Sequence, residues 1–239
     1  GGHTRHSGAL SNFPAVLASL ASEGFVVASL EYRLSGEAPF PAQLQDSRAA
    51  IRFLKANAAK YGLDPARVGV WGGSAGGHLT ALTALSCGDT SLDPAPAPAG
   101  SECVQSAVTW YGVFDFAPML KASMQDGSLD RAENKLLRCA PADCPADRVA
   151  SVSPVSYIDR KDPPMLLIHG EKDAVVAVEQ SRLAEARLKA AGVPVETIYI
   201  PGVDHSFIGA TAAETRAATL KATNATFDFF HKTLMGHGK

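Results

Sequence analysis

At 239 residues, with 46% apolar and 19% charged side chains, the chain is long and apolar enough to bury one sizeable core. Its 22 Lys and Arg stand against 24 Asp and Glu, a net charge of −2 without the basic block that neutralises phosphates, which argues against nucleic acid as a partner. No run reaches the roughly 18 consecutive apolar residues of a membrane-crossing helix, so no membrane span is expected.

Phe13, Val16, Leu17 and Leu20 recur at i, i+3, i+4 and i+7, the spacing of a helix with one apolar side. Phe25 to Leu30 is a largely β-branched and apolar run that reads as a first strand. Leu44, Ile51, Leu54 and Ala58 continue the helical period, and Val68 to Trp71 reads as a second strand, with a helix beginning near Gly77. Asp93 to Gly100 holds three prolines and is expected to run as an extended surface loop. Val104 to Trp110 is the third strand candidate. From Tyr111 to Asp162 apolar residues such as Phe114, Phe116, Leu136 and Leu137 mix with prolines, and no clean strand is visible. This stretch, 111–162, reads as a cap-like excursion within a single domain of 1–239 and is expected to help line a pocket.

Met165 to Ile168 and Val195 to Ile200 complete five strands. Between them Leu183, Leu188 and Ala191 mark a helix ending at Gly192-Val193-Pro194, and Leu220, Phe227, Phe230 and Leu234 give the C-terminal helix an apolar stripe. Strands alternating with helices imply an α/β fold, a mostly parallel central sheet flanked by helices.

The four cysteines, Cys87, Cys103, Cys139 and Cys144, allow three fully paired connectivities. Cys87–Cys103 and Cys139–Cys144 are favoured, because each would staple a Pro-, Asp- or Gly-rich excursion, with four buried free thiols as the open alternative. Paired cysteines imply a secreted or periplasmic protein, and free ones a cytoplasmic protein.

The chemistry concentrates on Gly72-Gly73-Ser74-Ala75-Gly76, set between a strand and a helix. A nucleophilic serine must present its oxygen clear of the backbone, and a sharp strand-to-helix turn achieves this when its flanking residues, Gly72 and Gly76, lack side chains. A hydroxyl is a poor nucleophile until a base takes its proton, so a histidine and an orienting carboxylate are needed. Asp173 lies just beyond the strand Met165 to Ile168, where the βα loops of a parallel sheet gather, and is the expected acid; Glu171 competes on proximity alone. His205, in the loop Gly202-Val203-Asp204-His205-Ser206-Phe207, is the expected general base. His169, His78, His231 and His237 take structural readings. The Ala75 amide, directly after the nucleophile, is an expected oxyanion donor.

Trp71 to Leu79, Glu31-Tyr32-Arg33-Leu34-Ser35 and Asp64-Pro65-Ala66-Arg67-Val68 together resemble the carboxylesterases of the hormone-sensitive-lipase-like branch of the α/β hydrolases, most closely bacterial feruloyl and acetyl esterases. The resemblance continues through Ile168-His169-Gly170 with Asp173 and through His205-Ser206-Phe207. It implies an oxyanion hole built from the amides of Gly2, His3 and Ala75, and a serine esterase that needs no cofactor. In that family the oxyanion loop follows a central strand, for which nothing here corresponds, so an upstream segment or a second chain is expected to complete the sheet. A free Gly1-Gly2-His3 terminus could instead hold Cu(II) in a square plane. No other metal-ligand spacing is visible, and no metal is expected.

The expected function is hydrolysis of short-chain or aromatic esters of feruloyl or acetyl type, with Tyr32, Trp110, Tyr111 and Phe114 near the substrate. The rival readings are amide, formamide or peptide hydrolysis by the same triad, and a catalytically silent member of the fold that binds a ligand.

Overall fold

A computed structural model describes residues 14–126, 132–140 and 142–236. In chain order its helices are α1 (Pro14–Ser22), α2 (Ala42–Ala56), α3 (Ala58–Tyr61), α4 (Ala75–Leu85), α5 (Phe116–Asp126), α6 (Ala132–Leu137), α7 (Ala146–Val152), α8 (Glu179–Ala191) and α9 (Ala212–Phe230). Its strands are β1 (Gly69–Gly73), β2 (Ser106–Trp110), β3 (Met165–Gly170) and β4 (Val195–Ile200). All neighbours pair in parallel, in the spatial order β1-β2-β3-β4.

Side chains alternate across the sheet and divide the core in two. Val108 and Trp110 of β2 and Leu166 and Ile168 of β3 pack with Leu20 of α1 and Ala222, Phe227 and Phe230 of α9 on one face. Ala107, Met165 and Leu167 point the other way, onto Ile51 of α2, Ala81 and Ala84 of α4, and Ala184 and Leu188 of α8. Every residue of β2 and β3 is therefore buried, as expected for parallel strands covered on both faces.

The sheet has four strands among the described residues, one fewer than the sequence suggests. Phe25 to Leu30 is unpaired coil, with Val26 53% and Leu30 40% exposed. A strand exists only by virtue of a ladder partner, and β1 pairs only with β2 among the described residues. β1 is accordingly half-buried along its whole length, unlike β2 and β3.

The C-terminal helix departs from its expected stripe at Leu220, which is 51% exposed. In its first half only the side carrying Ala218 and Ala222 packs inward. In its second half Thr226, Phe227, Phe229 and Phe230 bury the helix more fully. Thr211 and Glu214 close a capping box at its start.

Both favoured cysteine pairs are bonded, Cys87–Cys103 with its Cα atoms 5.0 Å apart and Cys139–Cys144 with its Cα atoms 5.1 Å apart. The first closes the loop between α4 and β2, and a buried ion network grips the same loop. Fully buried Arg48 meets Asp93 at 2.9 Å, and Arg52 meets Asp93 and Glu102, each at 2.8 Å.

Candidate active site

The strands all point their C-terminal ends toward one side, and the loops that leave them carry the polar residues singled out above. Ser74 stands between β1 and α4 at φ +56°, ψ −121°, a conformation that a non-glycine residue avoids unless its surroundings impose it. The surroundings do so: its amide donates to the Trp110 carbonyl at 2.9 Å, and its carbonyl accepts from the His78 amide at 2.9 Å. A Cβ on Gly72 would lie 2.4 Å from the Gly76 carbonyl oxygen, and one on Gly77 would lie 2.9 Å from that of Trp110. At Gly76 a Cβ would meet nothing within 4 Å, so the steric demand expected of Gly72 and Gly76 falls on Gly72 and Gly77.

Ser74 Oγ lies 3.0 Å from His205 Nε2, and His205 Nδ1 lies 2.8 Å from Asp173 Oδ2. A carboxylate only accepts, so neutral His205 carries its proton on Nδ1 and leaves Nε2 to receive the serine proton. Asp173 Oδ1 accepts from the Val175 and Val176 amides at 2.9 and 2.8 Å. Burial would raise the Asp173 pKa, but hydrogen bonds from His169, His205 and the Val176 amide hold the carboxyl well below its ordinary range. It stays charged opposite His205.

Two features bring the acid and base loops together. The Asp204 carboxylate accepts from the amides of both Ala174 and His205, at 2.8 and 2.6 Å. At Gly170 a Cβ would sit 2.6 Å from the Val203 carbonyl, so only glycine lets the end of β3 approach that loop. Asp204 and Gly170 carry no role in the sequence reading, because their partners are some thirty residues away in the chain.

A cleft of about 1260 Å³ opens over Ser74 and His205. Tyr32 and Tyr111 line it, together with Val175 and Ser206. The Tyr111 ring packs 4.8 Å from that of His205. Burial, aided by the Asp173 charge and only partly offset by a hydrogen bond with Ser206, pushes the Tyr111 phenol up to about 12.

Trp110 reaches the cleft but is essentially buried, its indole donating to Thr226 Oγ1 at 3.0 Å, which makes it mainly a core residue. Phe114 departs further from expectation. It is wholly buried on the α2–α4–α8 side of the sheet and takes no part in the cleft wall. The excursion 111–162 likewise contributes only Tyr111 to the cleft among the described residues. Its helices close on their own cluster of Val113, Phe116, Leu136, Leu137 and Val152. Apolar residues placed after a strand can pack inward as readily as line a site, and here they pack.

Ala75 heads α4, so its amide lies at the positive end of the helix beside Ser74. Gly1, Gly2 and His3 lie outside the described residues, and so does His237. Of the other histidines, His78 is buried on α4 with Nε2 2.7 Å from the Val152 carbonyl, and His231 pairs with Glu23 at the surface. Glu171 is exposed and faces Arg182 at 3.8 Å.

Residues 2–188 match the family model BD-FAE. Esterase LipQ of Mycobacterium tuberculosis (strain ATCC 25618 / H37Rv) is 34% identical over 202 residues, which is 84% of this chain and 47% of LipQ. The chain spans about half the length of the curated relatives it matches, 44% for the probable carboxylic ester hydrolase LipM of the same organism. Among solved structures, the acetyl ester-xyloside bifunctional hydrolase from Caldicellulosiruptor lactoaceticus superposes with a TM-score of 0.77 at 28% identity, covering all of this chain and 81% of that one. The propionate-bound esterase Est2 of Thermogutta terrifontis gives 0.76 at 25% identity, covering all of this chain and 82% of that one.

Proposed function

The chain belongs to the BD-FAE family of α/β-hydrolase carboxylesterases, and from that premise we propose that it hydrolyses carboxylic esters through an acyl-enzyme on Ser74. The observation that carries this reading is the unbroken file from Ser74 Oγ through His205 to Asp173, at 3.0 and 2.8 Å. Ser74 attacks the ester carbonyl carbon while His205 Nε2 takes its proton, and Asp173 stabilises the imidazolium at Nδ1. Nε2 then returns the proton to the leaving alkoxide, and water attacks the acyl-enzyme by the same route in reverse. The anionic tetrahedral oxygen is held by the Ala75 amide and, in our reading, by those of Gly2 and His3.

The acyl group is short or aromatic, of acetyl or feruloyl type. Tyr32 and Tyr111 on the cleft wall suit it, and an acetyl ester hydrolase and a propionate-bound esterase stand among the structural neighbours. We also assign 1–239 to a single domain in which 111–162 is an excursion that packs on its own apolar cluster, and maturation to an oxidising compartment, in keeping with the two bonded cysteine pairs.

Fluorophosphonate labelling with peptide mapping tests the nucleophile, and Ser74 is the residue expected to carry the label. A panel of p-nitrophenyl acetate, methyl ferulate and p-nitroanilides tests the substrate class. Turnover of the anilides above the esters would overturn the ester assignment in favour of an amidase.

We further infer that a strand from outside residues 1–239, from the same polypeptide or a second chain, pairs with the outer edge of β1. The support is that β1 has only β2 beside it among the described residues, and that apolar Val26 and Leu30 stand exposed next to the cleft along it. Intact mass together with native mass of the active material tests this, since full activity in a species that is monomeric at 25.0 kDa would contradict it.

A further inference from the structure

His169 is a polar group that the reaction scheme above leaves unused, and it is wholly buried near the C-terminal end of β3. Its Nε2 stands 2.8 Å from the Val176 carbonyl oxygen and 3.3 Å from Asp173 Oδ2. Its Nδ1 stands 2.7 Å from Ser181 Oγ, on the buried side of α8. A carbonyl oxygen can only accept, so the neutral ring carries its proton on Nε2 and receives the Ser181 hydroxyl proton at Nδ1. The Nε2 proton is directed chiefly at the Val176 carbonyl, and the carboxylate oxygen that also faces His205 lies at 3.3 Å as a second, longer contact of the same nitrogen.

We propose that His169 is a positioning residue for ester hydrolysis, donating from Nε2 to Asp173 Oδ2 and thereby setting both the orientation and the hydrogen-bonding strength of the carboxylate presented to His205. The inference rests on the triad assignment made above. The two ends of the carboxylate have different surroundings: Oδ1 accepts from the Val175 and Val176 amides of its own loop, whereas Oδ2 has His205 Nδ1 at 2.8 Å and, from the strand end, His169 Nε2 at 3.3 Å. Without the His169 donor, Oδ2 keeps more of its charge for His205, the imidazolium is better stabilised, and His205 protonates at higher pH. The carboxylate is also free to turn about its remaining support, which misaligns the imidazole toward Ser74. The other titratable groups facing the pair are Asp204, beside His205 in the chain, and Tyr111, whose ring packs on it; Glu171 and Lys172 of the acid loop are exposed.

The test is the rate of fluorophosphonate labelling at Ser74 against pH, in the full-length active protein and two variants. His169→Leu is expected to slow labelling by roughly 10- to 100-fold and to move the acid limb to higher pH. His169→Gln, whose amide can still donate toward Oδ2, is expected to return the limb to its wild-type position. A His169→Leu protein with a wild-type limb overturns the inference while leaving Ser74 as the nucleophile. Absence of label on Ser74 in the unaltered protein overturns the functional reading itself. A second measurement needs no variant: ¹⁵N spectra of histidine-labelled protein should show His169 as the Nε2–H tautomer, with a resonance that moves as His205 titrates. An Nδ1–H tautomer, or a resonance indifferent to that titration, would refute the proposal even if His169→Leu failed to fold.

Discussion

Ser74, His205 and Asp173 each depend on a different local device. The serine needs a left-handed backbone pinned at both its amide and its carbonyl. The histidine sits on a loop that Asp204 ties to the acid loop, and the aspartate is stabilised as an anion by donors that outweigh the effect of its burial. If the three act as one unit, as proposed above, Ser74→Ala should lower kcat by roughly 10⁴- to 10⁶-fold, and the double variant with His205→Ala should do little more damage. Steady-state assays on p-nitrophenyl acetate measure both, and multiplicative losses would show that the residues act separately. These three residues are legible in the chain because each is announced by its neighbours: glycines around the serine, a buried strand before the aspartate, a polar loop around the histidine. His169 is not legible in that way. Its spacing from Asp173 looks like that of any strand-end histidine until the loop 171–176 folds back and places Asp173 Oδ2 and the Val176 carbonyl at the same ring nitrogen.

At the level of elements, the junction of β1 and α4 sets the site, and its tolerance is uneven. Gly72→Ala would drive a methyl group into the Gly76 carbonyl and toward the Thr80 hydroxyl, which cannot both retreat without moving the helix. It is expected to cost about 1–3 kcal/mol of stability and to lower the melting temperature. Gly76→Ala meets open space and replaces a helical glycine, so its stability should be unchanged or up to ~1 kcal/mol higher. Paired thermal melts of the two variants make the comparison, and equal losses would contradict the packing described. The sequence marks this turn with its glycines but does not say which of them is sterically required. That depends on how closely α4 approaches β1 and β2.

For the molecule as a whole, the pH response of stability follows from its buried carboxylates. Asp93 and Glu102 titrate below their ordinary range: burial opposes this, but the hydrogen bonds and charges of their partners, with Arg52 beside both and Arg48 also bonded to Asp93, outweigh it. Asp173 is lowered in the same sense. A carboxyl whose folded pKa is depressed contributes stability in full above its unfolded value of about 4, and that contribution is lost as the pH falls toward the folded one. Asp162 runs the other way: burial raises it to about 6, so its contribution is present in full below the unfolded value of about 4 and is lost as the pH rises through about 6. With three groups against one, the melting temperature is expected to fall steeply as the pH drops from about 5 to 3. A flat or rising profile over that interval would contradict the assignment.

The amino-acid sequence by itself determines the α/β class, four of the strand positions and the principal helices, and it singles out Ser74, Asp173 and His205, which the fold brings together, because period, glycine turns and strand-to-loop order are properties of contiguous residues. The cysteine pairing it narrows to a preference, which the distances between Cα atoms resolve. Only the tertiary structure decides that Phe114 and the excursion after β2 pack inward, that Phe25 to Leu30 has no ladder among the described residues, and that His169 reaches Asp173. Each of these depends on what lies opposite a residue in space. An apolar side chain has the same sequence signature whether it faces a core or a cleft, and a strand forms only where another backbone is present to bond with it.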